Sequence, residues 1–234
     1  MELRAEKISR IYLRNGHGTN IFHAVQNTDF TLEPGKFTEI IGRSGSGKTT
    51  FIHMLAGLLT PSEGKVFLNG EDFYSLDDSK RSFLRNQKIG MIPQGQTGLP
   101  GMTVLENVLT PVAMYGNAEK QKDRAKELLL KMGIGDLEEV YSNELSGGEL
   151  RRMSIARALI NTPEIIIADE PTGDLDDEAT SMILRLFRDL ADHGASVLMV
   201  THESAAIPFA DQVYQMEQGM LTGLDKWKKC AIFL

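Results

Sequence analysis

The side chains of this sequence best suited to chemistry on a phosphate ester are Lys48, Thr49, Gln94, the adjacent carboxylates Asp169 and Glu170, and His202. Lys48 and Thr49 close the run Gly42-Arg43-Ser44-Gly45-Ser46-Gly47-Lys48-Thr49, which Thr50 follows. That run matches G-x-x-x-x-G-K-[ST], a phosphate-binding loop. Glycines at 42, 45 and 47 allow a tight curl that turns successive N–H groups inward, and a following helix offers its positive N-terminal end to the same anion. Lys48 supplies a point charge for the β- and γ-phosphates, and Thr49 a hydroxyl for Mg²⁺. Asp169 and Glu170 end the apolar run Ile165-Ile166-Ile167-Ala168. Asp169 is suited to hold Mg²⁺ directly or through water, and Glu170 to polarise the water that attacks the γ-phosphate. Gln94 is suited to touch Mg²⁺ or its water, and His202 to contact the γ-phosphate. Taken singly, Gln94 reads as a solvated loop residue and His202 as a structural strand-end histidine.

A second anion site is legible at Leu145-Ser146-Gly147-Gly148-Glu149. Ser146 and Glu149 have the spacing of a capping box, which by itself only starts a helix. The two glycines between them expose bare N–H groups at that helix start. Tyr12, at the end of an early strand, has an aromatic face able to pack on a nucleotide base, or is a half-buried strand tyrosine.

The elements needed to position these groups follow from the apolar periodicity. Residues 37–41 read as a buried strand, and Phe51, Met54, Leu55 and Leu58 recur at helical spacing after the loop. Strands are expected over 3–13 and from Ile21, with Asn15-Gly16-His17-Gly18 turning between them. A short strand over 65–70 ends in Asn69-Gly70, and another over 89–93 delivers Gln94 into the bend Gly95-Gln96-Thr97-Gly98. Residues 103–132 turn helical, and 145–160 present Met153, Ala156 and Ile160 on one face. The run at 165–170 reads as a central parallel strand and that at 195–200 as one more buried strand, with a helix presenting Ile183, Phe187 and Leu190 between them. Residues 213–221 form a terminal hairpin, and 227–234 read ambiguously.

The chain of 234 residues, 41% of them hydrophobic, suffices for one domain with a subdomain. A net charge of −7 argues against nucleic acid as the partner, because duplex binding leans on a basic surface. The single cysteine, Cys230, permits no internal disulfide and fits a reducing cytosol. No apolar stretch is long enough to span a bilayer, so any membrane contact is expected to be peripheral.

In this order and spacing, residues 42–49, Gln94, 145–149, Asp169-Glu170, Leu175-Asp176 and His202 resemble the ATP-binding-cassette (ABC) ATPases over practically the whole chain. The resemblance implies an α/β P-loop NTPase fold of cassette type, with a RecA-like core, an antiparallel β subdomain and a helical subdomain. It implies one domain over 1–234, with the helical subdomain inserted at about 95–160. Residue by residue it implies ATP and Mg²⁺ at Gly42, Arg43, Ser44, Gly45, Ser46, Gly47, Lys48, Thr49 and Thr50. It makes Gln94 the Q-loop glutamine, Ser146, Gly147 and Gly148 the signature, and Asp169 and Glu170 the Walker B pair. Asp176 becomes the D-loop, His202 the switch and Tyr12 the base-stacking aromatic. Two copies are then expected to meet head to tail, each ATP lying between one chain's phosphate loop and the other's signature. A separate transmembrane permease is expected as partner, with the cassette peripheral on the cytoplasmic membrane face. Within the family, residues 84–90, 103–108 and 170–176 resemble the branch serving lipoprotein release, macrolide and peptide export, and cell division. Asp174, Glu149 and the bend 95–98 depart from that branch's usual residues. The expected role is therefore an ATPase that powers export or extraction of a lipoprotein, peptide or drug. The alternatives are a soluble cassette of iron–sulfur assembly and a cassette that transmits force without moving solute.

Overall fold

Five parallel strands carry the phosphate-loop half of the molecule. The computed structural model describes residues 1–13, 21–95, 98–173 and 175–224. The expected turn at 15–18, Gln96, Thr97, Asp174 and the tail with Trp227 and Cys230 lie outside the described residues. The larger sheet has six strands in the order β10-β9-β3-β8-β7-β6. These are β3 (Phe37–Ile41), β6 (Ile89–Ile92), β7 (Ile165–Asp169), β8 (Ser196–Thr201), β9 (Gln212–Glu217) and β10 (Met220–Gly223). β6, β7, β8, β3 and β9 are mutually parallel, and β10 returns antiparallel at the edge. Every residue of β7 and β8 is buried, as covering by elements on both faces demands. Ile165 and Ile167 join one core and Ile166 and Ala168 the other, so the strand's period of two divides the interior into two layers.

The smaller sheet is antiparallel, in the order β2-β1-β4-β5. Its strands are β1 (Leu3–Leu13), β2 (Ile21–Leu32), β4 (Glu63–Leu68) and β5 (Glu71–Asp72). The expected Asn69-Gly70 turn joins β4 to β5, with φ of 51° and 84°, the pair of left-handed residues that a tight hairpin of matching twist requires. Helix α1 (Lys48–Leu55) lies between the sheets, with Phe51, Ile52, Met54 and Leu55 fully buried. Leu58 does not extend this face. The helix caps at Ala56, Gly57 turns the chain at φ 72°, and Leu58 is exposed.

Between β6 and β7 the chain forms α3 (Val104–Ala113), α4 (Lys122–Lys131) and α5 (Gly147–Leu159). Val104, Val108, Leu129, Met132, Met153 and Ala156 pack there in one core, which continues into Ile92 and Ile166 of the sheet. α6 (Asp177–Asp192) covers the same layer through Ile183 and Phe187. Helix α2 (Asp78–Lys88) was not legible as a helix, because it buries no residue fully and so presents no apolar stripe. Its sequence signal is the cap, Asp77, whose side chain accepts the Lys80 N–H at 2.8 Å.

Candidate functional site

All the parallel strands end at one edge. In register, Ile41 pairs with Thr201, Asp169 with Val200, and Ile92 with Ala168. Residues that follow those strand ends are thereby delivered to one crevice, the usual ligand position of an open α/β sheet. A cavity of about 1000 Å³ lies there, lined by residues 42–50 together with Gln94, Glu170 and His202.

The loop's glycines are set by close approach and by backbone conformation. A Cβ on Gly47 would lie 2.1 Å from the Ala24 carbonyl oxygen, and one on Gly42 would lie 2.4 Å from that of Met216. Gly47 also adopts φ 109° as the residue before α1. Lys48 Nζ folds back to donate to the carbonyl oxygens of Gly42 at 2.6 Å and Arg43 at 3.3 Å. Burial pushes the Lys48 ammonium below its ordinary range, opposed by the charges of Glu170 and Asp169.

Glu170 sits just past β7 with φ 48°, a left-handed conformation that a glutamate adopts only under constraint. The constraint is visible at its carboxylate. Oε2 accepts from Thr201 Oγ1 at 3.0 Å and from the His202 backbone N–H at 3.3 Å, and lies 3.0 Å from His202 Nδ1. Oε1 is left on the Lys48 side, 3.8 Å from Nζ. One carboxylate oxygen is thus fully engaged in holding orientation, while the other faces the loop.

Asp169 is 1% exposed, and neither of its carboxylate oxygens has a hydrogen-bond partner of full geometry among the described residues. Burial raises its pKa, with the Thr49 hydroxyl as the strongest opposing influence. A buried carboxylate left without donors beside a hydroxyl and a lysine fits a hard cation that shares its shell with phosphate oxygens. Among the described residues no three His, Cys, Asp or Glu side chains cluster as a metal cage.

The other expected site residues stand elsewhere. Ser146 caps α5: its N–H and Oγ donate to Glu149 Oε2 at 2.7 and 2.6 Å, and Glu149 N–H donates back to Oγ at 3.4 Å. Asp176 caps α6, accepting the Ala179 N–H at 2.8 Å. Neither these caps nor Gly147 and Gly148 line the cavity. Tyr12 is also outside the lining, whereas Phe22, Ala24 and Gln215 belong to it unforeseen. The signal for Phe22 was available in the hairpin, since the β1/β2 register sets it directly opposite Tyr12.

Residues 25–173 match the family described as ABC transporter. The chain is 38% identical to the lipoprotein-releasing system ATP-binding protein LolD of Aquifex aeolicus, over 94% of this chain and 96% of that protein. LolD of Xanthomonas oryzae pv. oryzae is 37% identical over 95% and 91%. The macrolide export ATP-binding/permease protein MacB of Aggregatibacter actinomycetemcomitans is 38% identical over 87% of this chain, which spans 32% of that longer protein. Among solved structures, the dimeric bacterial ABC transporter cassette MJ0796 superposes with a TM-score of 0.88 at 31% identity, covering 95% of this chain and 99% of that one. A dimeric post-hydrolysis state of the same cassette, bound to ADP and Pi, gives 0.87 at the same identity and coverage. A nucleotide-bound cassette of this shape, a family match across the phosphate loop and both carboxylates, and relatives aligned nearly end to end have one common explanation: the chain belongs to the ABC transporter family, as an ATP-hydrolysing cassette.

Proposed function

We propose that this cassette hydrolyses ATP with Glu170 as the base and passes the resulting motion to a separate membrane-spanning subunit that exports or extracts an amphiphilic cargo such as a lipoprotein. The observation that carries the catalytic part is the Glu170 carboxylate, with one oxygen tied to Thr201 and His202 and the other facing Lys48 across the cavity. In this reading ATP lies over residues 42–50 with its γ-phosphate toward Glu170. A water attacks the γ-phosphorus, its proton passes to Glu170 Oε1, and the bond to the β-phosphate oxygen breaks to give ADP and phosphate. Lys48 and the loop N–H groups neutralise charge on the β- and γ-phosphates, and His202 and Gln94 bracket the terminal phosphate. Thr49 and Asp169 fit Mg²⁺, with Gln94 reaching its shell, and a bound ion there would neutralise phosphate charge.

Residues 95–160 act in this reading as the helical subdomain of a single domain that spans 1–234. Ser146, Gly147, Gly148 and Asp176 serve a second copy, which fits their position outside this chain's own cavity and the dimeric form of the similar cassettes. The membrane subunit is inferred from the names of the relatives, a lipoprotein-releasing system and an ATP-binding/permease protein; no helix among the described residues is long and apolar enough to cross a bilayer. The cassette then works peripherally on the cytoplasmic membrane face. The test uses tagged Glu170→Gln expressed in its native host. It should be recovered with ATP still bound and with a membrane polypeptide, while its turnover falls by about 10²- to 10⁴-fold. Near-normal turnover rejects Glu170 as the base, and recovery free of any membrane protein favours a soluble cassette.

A further inference from the structure

Asn107, in α3, is 0% exposed, and every hydrogen bond its side chain makes among the described residues goes to the backbone of one bend. The Leu99 N–H donates to its Oδ1 at 2.8 Å, and its Nδ2 donates toward the carbonyl oxygens of Leu99, Met102 and Thr103 at 3.3, 3.2 and 3.0 Å. A buried amide satisfied in this way fixes the backbone it binds, and its removal leaves the Leu99 N–H without an acceptor. The same bend is held from its other side. Ser142 donates through Oγ to the Leu99 carbonyl oxygen at 2.8 Å and through its N–H to that of Met102 at 3.1 Å, and Thr103 pairs with Tyr141. A Cβ on Gly98 would lie 3.0 Å from that of Ser142, so bend and facing segment are in close contact. Ser142 opens a 3₁₀ turn, Ser142–Glu144, and only Leu145 separates that turn from Ser146, the cap of α5.

Gln94 is held independently of Asn107. It follows the end of β6, and Arg151 Nη1 donates to the carbonyl oxygen of the preceding Pro93 at 2.9 Å. The hydrogen bonds of Asn107 lead instead toward residues 142–146. We propose that Asn107 is a positioning residue for hydrolysis on the facing copy: by locking residues 99–103 it sets, through Ser142, where Ser146, Gly147 and Gly148 stand, and so acts on the ATP of the second chain and not on that of its own. The proposal rests on the head-to-tail reading and adds to it a residue that touches neither nucleotide. An amide that merely supports the fold would affect both ATP sites alike.

The test uses differently tagged full-length copies isolated as mixed dimers in ATP, with one site silenced by Glu170→Gln, and reads single-turnover phosphate formation at the other. With Asn107→Ala in the same chain as Glu170→Gln, the altered residues 146–148 face the working site of a wild-type partner, and the rate should fall about 10- to 100-fold. With Asn107→Ala in the chain opposite Glu170→Gln, the working site is faced by unaltered residues 146–148, and the rate should match that of wild type paired with Glu170→Gln. Ser142→Ala removes the Oγ link to Leu99 while keeping Asn107. It should show the same dependence on arrangement, which keeps the test decisive if Asn107→Ala folds poorly. Equal loss in both arrangements makes Asn107 a support of the fold, and loss confined to the second assigns it to its own chain's Gln94; either result overturns the proposal. Ser146→Ala, placed in the same two arrangements, checks the underlying reading and should impair only the first. If it impairs both or neither, the head-to-tail arrangement fails and this proposal with it.

Discussion

Asp169 costs the isolated protein stability. A carboxylate that is 1% exposed has lost more hydration than the Thr49 hydroxyl and nearby cations restore, and burial has pushed its pKa up accordingly. Glu170, one residue later, has the opposite provision, two donors and the His202 ring nitrogen at one oxygen, yet a backbone in the left-handed region. Both residues depart from what folding alone would select, the pattern expected where function sets the side chain. Asp169→Asn removes the buried charge and keeps the volume. In Mg²⁺-free buffer at neutral pH it should melt higher than the wild type by a few degrees, about 1 kcal/mol of stabilisation, while its ATPase activity is largely lost. Scanning calorimetry decides this: a variant less stable than wild type without Mg²⁺ would mean that the carboxylate has favourable partners in the free protein.

At the scale of elements, what was readable in the sequence followed how completely each element is buried. β7 and β8 read as apolar runs, and β3 as a buried strand despite Thr38 and Glu39, because both faces are covered, and their order then delivered residues 42–49, Glu170 and His202 to one edge. α2 escaped because a helix with no fully buried residue writes no period, and Phe22 escaped because an exposed hairpin residue resembles any other. The junctions between elements are likewise invisible locally. Asp211 is one: its Oδ2 accepts the Phe37 N–H at 2.8 Å and Arg188 Nη1 at 2.8 Å, linking the starts of β3 and β9 to α6 across 174 and 23 residues. Burial alone would raise its carboxyl, but Arg188 and the Phe37 N–H outweigh that and hold it below the ordinary 3.8. A depressed carboxyl stabilises the fold above its unfolded pKa, and the contribution is lost as pH falls through the lower folded value. Asp211→Ala should therefore cost about 1–3 kcal/mol at pH 7, and the gap from wild type should narrow below about pH 3.8. Urea titrations at pH 7 and near pH 3 measure it, and a gap independent of pH would remove Asp211 from this role.

For the whole molecule, residues 146–148 are the proposed second anion site, one that serves another copy and not their own chain. Ser146 and Glu149 satisfy each other as a cap, and the bare N–H groups of Gly147 and Gly148 lie away from the cavity that holds Lys48 and Glu170. A cap needs only Ser146 and Glu149, so a purely structural reading leaves the two glycines unexplained. In the proposed head-to-tail dimer a second copy would give them an anion to bind, the γ-phosphate held by the facing chain. Ser146→Arg separates the two readings. Losing the cap costs about 1 kcal/mol and leaves the fold intact, whereas a long cation at that helix start obstructs the approach of the other copy. The variant should bind ATP as a monomer with wild-type affinity but lose nearly all turnover. Placed in the Glu170→Gln background, it should stay monomeric by analytical ultracentrifugation in saturating ATP, where Glu170→Gln alone sediments as a dimer. If the double variant still dimerises, or if Ser146→Arg alone fails to bind ATP as a monomer, residues 146–148 serve their own chain and the head-to-tail arrangement is rejected.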